Sequence, residues 1–239
     1  MRLNKYLSKC GVASRRVADR MIEQGRINLN GKTVTELGVL IDPDRDQVEV
    51  DGKSVNLPPE SVYIVLNKPN GYVTSLKDEF GRKTVTSLIK NVGQRVYPVG
   101  RLDLDTEGVL LLTNDGELAY RLTHPKYQVK KEYHVTVKGE FPLELVARFE
   151  EGIKLEDDFV ATARGKLVTA QSKFSTLVLE LTEGKKREIR RMCRMLGFPV
   201  HQLTRVKFAD LTCKGMKVGT WRFLSRKEVE KLQKKVSLA

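Results

Sequence analysis

The chain has 239 residues, enough for one sizeable core or for a small and a medium domain together. Its 43 basic and 30 acidic residues give a formal charge of +13, which is typical of a protein that binds a polyanion. No apolar run approaches the roughly 20 residues of a membrane-spanning helix, and the N-terminus lacks the apolar core of a signal peptide. We therefore expect a soluble, cytoplasmic protein without a membrane partner, although basic charge alone would fit an acidic membrane surface as well as nucleic acid. Three widely spaced cysteines argue against a disulfide framework and a zinc ribbon.

The first 55 residues predict a small module of two helices on a short sheet. The predicted elements are helices at 2–9 and 15–24 and extended segments at 27–29, 34–39 and 47–50. Ser14 is placed to cap the second helix, and Asn30-Gly31 is a strong hairpin signal. Four apolar residues of the second helix are predicted to be buried, namely Val17, Ala18, Met21 and Ile22.

Charge is uneven within this module. Residues 1–32 hold eight basic and two acidic side chains, a net charge of +6, whereas residues 33–55 hold two basic and six acidic ones, a net charge of −4. A solvated charged surface is the simplest interpretation of such a run. Because the positive charge falls on the two helices and the hairpin tip, we favour contact with a nucleic-acid backbone. The predicted RNA-contacting residues here are Arg2, Lys5, Lys9, Arg15, Arg16, Arg20 and Lys32.

Consecutive prolines predict a linker at residues 56–60, which leaves 61–239 as a second domain. The predicted strands are 63–66, 109–112, 133–137, 174–181 and 202–208. The predicted helices are one that follows a turn at 114–116 and ends at Leu122, one at 142–151 and a C-terminal helix. Ser225 and Glu228 form a capping box for that last helix. Strands outnumber helices without a simple alternation of the two, which predicts an α+β domain with a mixed, largely antiparallel sheet.

One predicted helix, within residues 183–196, combines an apolar stripe with a ridge of arginines. The stripe consists of Ile189, Met192, Cys193 and Leu196, and the ridge consists of Arg187, Arg190, Arg191 and Arg194. Four neighbouring guanidinium groups repel one another unless anions face them. The ridge is either a solvent-facing basic stripe or, as we prefer, a surface that contacts phosphates through Arg187 and Arg191 and turns one arginine toward a buried acid.

The stretch DLDTEG begins like a calcium-binding loop, with acids at Asp103, Asp105 and Glu107 before a glycine. The position that requires a bidentate Glu is Asn114, and Leu111 falls inside an apolar run, so this interpretation fails. The three histidines are far apart, and the nucleotide-binding and hydrolase motifs are missing. We therefore predict neither a metal nor a cofactor. Asp105 and Glu107 are interpreted as supports of the loop.

Several motifs resemble those of one enzyme family. VGRLDLDTEGVLLLTNDGELAYRL closely resembles the catalytic segment of bacterial pseudouridine synthases of the RsuA/RluB family, which implies that Asp103 is the catalytic aspartate. KKEYHVTV resembles the strand that supplies an active-site tyrosine, here Tyr133. EGKKREIRRM resembles the motif whose arginine, here Arg190, pairs with the aspartate. NKPNGYVTS resembles the KPxG motif of the family, and we predict that its Lys68, together with Arg101, contacts RNA.

The resemblance covers essentially the whole chain, since residues 3–32 look like an S-four-like RNA-binding domain. It implies an isomerase that converts a uridine of rRNA into pseudouridine without a cofactor, acting on free RNA or an assembling subunit. The REIRR form of the late motif favours 23S rRNA, with 16S rRNA as the alternative. The competing function is a noncatalytic RNA-binding assembly factor. We expect a monomer, because RNA would occupy the long basic surface.

Overall fold

A computed structural model describes residues 1–58 and 60–238 and divides them into two compact units. The first unit comprises residues 1–62, 93–96 and 114–116, and the second comprises 63–92, 97–113 and 117 onward. The predicted linker includes Pro59, which lies outside the described residues. No helix within the described ranges is long and apolar enough to span a membrane.

The first unit contains two helices and a four-stranded antiparallel sheet in the order β2-β1-β3-β4. Its elements are α1 (Leu3–Lys9), α2 (Arg15–Glu23), β1 (Ile27–Leu29), β2 (Lys32–Val34), β3 (Val48–Val50) and β4 (Lys53–Ser54). The Ser14 side chain accepts a hydrogen bond from the amide of Val17 and so caps α2. Positive φ angles at Asn30 and Gly31 form the predicted turn between β1 and β2.

Two predictions for this unit are wrong. The Val17 side chain is 37% exposed, because the core-facing stripe of α2 runs through Ala18, Met21 and Ile22 instead. The predicted extended segment at residues 34–39 is not a strand. Only its first residue belongs to β2, and the chain then leaves the sheet.

The second unit is built on a mixed sheet in the order β11-β12-β8-β13-β7-β5-β15, with β6 paired to β7 and β14 to β13. Its strands are β5 (Tyr63–Lys68), β6 (Tyr97–Pro98), β7 (Glu107–Thr113), β8 (Lys131–Lys138), β9 (Ile153–Lys154), β10 (Val160–Ala161), β11 (Arg164–Thr169), β12 (Phe174–Leu181), β13 (Val200–Phe208), β14 (Leu211–Thr212) and β15 (Trp221–Phe223). β7 and β13 are parallel, and the other pairs that involve described residues are antiparallel. The predicted α+β fold is confirmed.

Among the described residues, four α-helices accompany this sheet: α3 (Gly116–Thr123), α4 (Ala147–Glu151), α5 (Glu188–Met195) and α6 (Arg226–Lys235). The capping box of α6 is confirmed, since Ser225 and Glu228 exchange side-chain to backbone hydrogen bonds. The helix predicted at 142–151 is instead a 3-10 turn, Leu143–Val146, that continues into α4.

Two hydrophobic cores lie within the second unit. One packs α4 and α5 against β8 and β12, through Phe149, Met192 and Leu177 among others. The other packs α3 and α6 against β5 and β7. β7 is buried on both faces, because Val109, Leu110, Leu111 and Leu112 are all fully buried. This strand therefore gives the segment that precedes it a rigid support.

Candidate active site

Asp103 lies in the loop between β6 and β7. Gly100 turns the chain with a φ of +72°, and Leu102 anchors the loop in the interior. The amide of Thr106 donates to the carbonyl oxygen of Asp103 at 3.1 Å, which closes a turn just before β7 begins. Asp103 itself is half-buried. The carboxylate is thus carried by a short loop attached to a rigid strand.

Gly108, the glycine of the acidic stretch, lies where β7 runs beside β13. The register pairs Gly108 with Arg205. A Cβ atom at Gly108 would lie 2.1 Å from the Arg205 carbonyl oxygen, and the φ angle of Gly108 is +102°. This glycine therefore allows two backbones to approach closely. It does not form the turn of a calcium loop.

Lys68, at the end of β5, is fully buried. Its ammonium group donates to the carbonyl oxygens of Thr106 at 2.7 Å, Asp103 at 3.1 Å and Leu104 at 3.4 Å, and to that of Pro69 at 3.1 Å. Burial lowers the pKa of Lys68 to about 8. The predicted RNA contact of Lys68 is wrong, because this lysine holds the loop of Asp103 from inside the protein.

The rest of the KPxG segment is bonded to the same loop. The hydroxyl of Thr74 donates to the carbonyl of Leu102 at 2.7 Å and accepts from its amide at 3.2 Å. The amide of Gly71 donates to the carbonyl of Leu104 at 2.9 Å. These bonds flank Asp103 on both sides along the chain. The segment 67–75 therefore positions the aspartate loop.

The arginines of α5 meet this loop at Asp105. Arg187 forms a two-point ion pair with the Asp105 carboxylate, at 3.1 and 2.9 Å. Arg190 donates to the Asp105 carbonyl oxygen at 2.7 Å, and its Nε lies 3.3 Å from the carboxylate. Partial burial raises the pKa of Asp105, but the two arginines outweigh it and hold that pKa below its usual range.

The predicted ion pair between Arg190 and Asp103 is therefore wrong. Arg190 turns toward an acid of the same loop, as expected, but the acid is Asp105, two residues further along the chain. The bonds of Lys68 and Thr74 fix the loop so that the carboxylate of Asp105 faces α5. Glu107, the third acid, accepts a hydrogen bond from Gln202 at 3.2 Å. Asp105 and Glu107 both support the loop, as predicted.

A cavity of about 330 Å³ brings Asp103 and Tyr133 together. Strand register explains this, because Arg205 of β13 is paired with Tyr133 of β8 on one side and with Gly108 of β7 on the other. Tyr133 and the start of β7 are therefore two strand spacings apart, about 10 Å. The cavity lining also includes the exposed Arg101 and the partly exposed Arg187.

Two further residues of this region were not singled out as site residues by the sequence. Arg205 is 2% exposed, donates to the carbonyl of Val109 at 2.8 Å and lies over the ring of Phe208. Glu188 lines the cavity and accepts a hydrogen bond from the amide of Lys185 at 2.7 Å, and burial raises its pKa. Charged side chains are usually exposed, so the sequence does not indicate that Arg205 is buried within β13 or Glu188 at the start of α5.

Protein carboxylates face the other arginines of α5. Arg191 pairs with Glu156 at 2.8 Å and with Asp157 at 2.5 Å, and Arg194 also pairs with Glu156. The Arg191 side chain is only 17% exposed, so its predicted role in phosphate contact is not supported. A second cavity, of about 490 Å³, is lined by all four arginines of the ridge and by Lys186.

The basic residues predicted to bind RNA in the first unit lie at its surface. Six of them are exposed and Lys9 is half-buried. In this unit Arg26 pairs with Asp51 and Arg45 pairs with Asp42. The seven predicted residues take no part in these two ion pairs, and their role in RNA binding stays a prediction.

Comparison with known proteins identifies both parts of the chain. Residues 62–195 match the RNA pseudouridylate synthase family, and residues 1–46 match the S4 domain. The chain belongs to the RNA pseudouridylate synthase family. The predicted resemblance and the predicted enzyme class, an isomerase, are confirmed, as is the S4 RNA-binding domain.

Relatives of this synthase match it over nearly its whole length. Ribosomal large subunit pseudouridine synthase B of Bacillus subtilis (strain 168) is 46% identical over 97% of this chain and 95% of that protein. Dual-specificity RNA pseudouridine synthase RluF of Escherichia coli (strain K12) is 36% identical over 96% of this chain and 77% of that protein. A crystal structure of a pseudouridylate synthase is 30% identical, with a TM-score of 0.69 over 97% of this chain and 99% of that one.

Proposed function

We propose that this synthase isomerises a specific uridine of 23S rRNA, with Asp103 as the catalytic carboxylate. The observation that carries the proposal is the cavity that joins Asp103 to Tyr133 beside the loop fixed by Lys68. The name of the Bacillus subtilis relative and the REIRR form of the late motif support the large-subunit RNA. The alternative substrate is 16S rRNA.

The reaction rearranges atoms that are already present in the substrate. The bond between C1′ of the ribose and N1 of uracil breaks, the base turns, and a bond forms between C1′ and C5. The C5 proton leaves and N1 ends with a proton, so the product is an isomer of the substrate. An ionised carboxylate starts this sequence either by attacking C1′ or by removing the proton from C2′.

The cavity suits a uridine that has left its stack. Its volume of about 330 Å³ lies within the range of pockets for small ligands. The ring of Tyr133 can stack on an extruded uracil, and its hydroxyl is the candidate acceptor for the C5 proton. The exposed Arg101 of the cavity lining supplies positive charge where a neighbouring phosphate would enter, whereas Arg187 of the lining is already paired with Asp105.

Positive charge also surrounds the aspartate itself. Lys68, Arg187 and Arg190 each interact electrostatically with Asp103 without forming an ion pair with it among the described contacts. In this arrangement the carboxylate works in an electropositive cavity while its oxygens stay available to the ribose. A direct ion pair would occupy those oxygens.

The test is pseudouridine formation on 23S and 16S rRNA transcripts labelled with tritium at C5 of uridine, since turnover releases the label to water. We expect the wild-type protein to release tritium from 23S rRNA and Asp103→Asn to release none. Asp158→Asn, which changes an exposed acid of the same unit, is the control and should retain full activity. Turnover by Asp103→Asn would refute the catalytic assignment.

Two other outcomes address the alternatives. Release from the 16S transcript alone would replace the large-subunit substrate by the small-subunit one. Release from neither RNA, although both bind, would favour a noncatalytic RNA-binding factor.

A further inference from the structure

Phe80 is the most exposed large apolar side chain among the described residues, with 80% of its surface accessible. It lies in a loop of the second unit, residues 74–84, whose sequence is TSLKDEFGRKT. Exposing an aromatic ring of this size to water is unfavourable. A single exposed apolar residue is common on protein surfaces. Phe80 differs from such a residue in how the loop holds its ring and in where the loop is attached.

The tip of this loop is folded around Asp78. The Asp78 carboxylate accepts hydrogen bonds from the amides of Phe80 at 3.1 Å and Arg82 at 2.8 Å, and it forms an ion pair with the Arg82 guanidinium at 2.6 Å. The Asp78 side chain is only 5% exposed, so its carboxylate bonds to groups of the loop tip and not to a ligand. The tip therefore presents Phe80 in a preorganised conformation, which reduces the entropy cost of binding through it.

A cation covers one face of the exposed ring. The Arg82 guanidinium lies over Phe80, 5.0 Å from the ring centroid. With Arg82 on one face, the other face and the edges of the ring remain open to solvent. Lys77 and Lys83 flank the pair along the chain. An aromatic ring with an open face and neighbouring cations is the combination that binds bases of single-stranded RNA.

The base of the loop is fixed beside Asp103. The amide of Val73 donates to the carbonyl of Lys83 at 2.8 Å, and the amide of Val85 donates to the carbonyl of Val73 at 3.0 Å. Thr74, the next residue, is bonded twice to Leu102, the neighbour of Asp103. Phe80 is four residues from Thr84, so its backbone lies at most about 14 Å from the loop base. Phe80 therefore lies on the part of the surface next to the loop of Asp103.

We propose that Phe80 stacks on a base of the RNA substrate that lies near the target uridine in the chain. This inference rests on the proposed function, because it assumes that the target uridine of an RNA binds at Asp103. A base that stacks on Phe80 fixes the single-stranded RNA beside the cavity, so that the target uridine can leave its own stack and reach Asp103. Phe80 is thus a positioning residue, and it contributes to which RNA is accepted.

The experiment compares Phe80→Ala, Phe80→Trp and the control Phe223→Ala, which removes an exposed aromatic ring from the edge strand β15 of the same unit. The substrate is the 23S rRNA transcript labelled with tritium at C5 of uridine. We expect Phe80→Ala to lower kcat/KM by about 5- to 150-fold, the range measured for loss of one base stack. Most of this loss should appear in KM, because stacking acts on bound RNA before and during the reaction.

Further readouts separate stacking from a structural role. Phe80→Trp should retain kcat/KM, since a larger ring stacks at least as well, and Phe223→Ala should match the wild type. The melting temperature should be the same in all variants. The salt dependence of RNA binding should keep its slope in Phe80→Ala, because no cation is removed.

Wild-type kcat/KM in Phe80→Ala, alongside an inactive Asp103→Asn, would overturn this inference and leave the proposed function standing. A changed salt slope in Phe80→Ala would also overturn it. If the wild-type protein modified none of the RNAs, the proposed function would fail, and filter binding of the same unlabelled transcript would still decide whether Phe80→Ala weakens binding.

Discussion

At the scale of single residues, the catalytic loop depends on a buried cation. The ammonium group of Lys68 has three protons and shares them among four carbonyl oxygens, those of Thr106, Asp103, Leu104 and Pro69. Burying an ammonium group is costly unless such partners replace water. Here the partners are backbone groups of the loop itself, so one side chain fixes the path of the chain around Asp103.

Replacing Lys68 by Met should therefore impair catalysis more than it disturbs the fold. The methionine side chain is similar in length, but it removes the ammonium donor from the loop. The carbonyls of Asp103 and Leu104 keep a backbone donor, whereas the carbonyl of Thr106 loses its 2.7 Å bond, and an unsatisfied buried group costs about 1–3 kcal/mol. We expect kcat to fall about 10- to 100-fold, since displacement of a reacting group by about 1 Å has effects of that size. Steady-state tritium release measures kcat, and a thermal melt measures the loss of stability.

The control is Lys154→Met, which removes an exposed ammonium group from the same unit and should change neither quantity by much. Full kcat in Lys68→Met would show that Thr74 and Gly71 hold the loop without the lysine.

At the scale of elements, regular periodicity was sufficient to predict the main strands and helices. β12 occupies the predicted range 174–181, and the apolar stripe of α5 is buried through Ile189, Met192 and Cys193. The short strands β9, β10, β14 and β15 have two or three residues each, too few for a periodic pattern. Their positions depend on partners distant in the sequence.

The site was predictable as a set of residues but not as a set of contacts. Resemblance to known motifs predicted that Asp103 and Tyr133 belong to one active site, and both residues line the same cavity. The predicted partner of Arg190 is wrong because Asp103 and Asp105 belong to one irregular loop. The path of that loop is set by bonds to Lys68 of β5, 35 residues before Asp103. Neither local propensity nor charge pattern carries that information.

The contact between α5 and the catalytic loop gives an element-scale prediction. Asp105→Asn removes the charge that attracts Arg187 and Arg190, and should lower kcat by less than Asp103→Asn does. Because this pair is partly exposed, the expected loss in the free energy of unfolding is about 1 kcal/mol. Tritium release and urea unfolding at pH 7 measure the two effects. The control is Asp157→Asn, which weakens an ion pair of Arg191 and should leave kcat unchanged.

The stability difference between wild type and Asp105→Asn should also depend on pH. The folded-state pKa of Asp105 is lowered, so its stabilising contribution is fully present above the unfolded value of about 3.9 and is lost as the pH falls through the folded value. The difference should stay constant from pH 7 to 5 and narrow below about pH 4. A difference that widened in acid would contradict the assigned ion pairs.

At the scale of the whole molecule, positive charge is placed where it does not help folding. Arg15 and Arg16 form the first turn of α2, which contains no acidic residue. The N-terminus of a helix carries partial positive charge, so cations in the first turn are unfavourable for the helix. Arg187 and Arg191 of the second unit, by contrast, are paired with carboxylates. The unfavourable position of Arg15 and Arg16 is the basis of our prediction that α2 of the S4 domain contacts RNA.

Charge reversal of Arg15 and Arg16 to Glu should therefore weaken binding to the 23S transcript and flatten its salt dependence. Loss of two phosphate contacts reduces the slope of log K against log salt by about 1.4 to 1.8. Turnover of a short RNA bearing the mapped uridine should persist, because the cavity is unchanged. Arg45→Glu with Lys53→Glu makes the same charge change on the acidic part of the unit and should leave the slope unaltered. If both double variants had the same slope of log K against log salt, RNA binding would depend on net charge alone. The prediction that α2 is an RNA-binding surface would then be wrong.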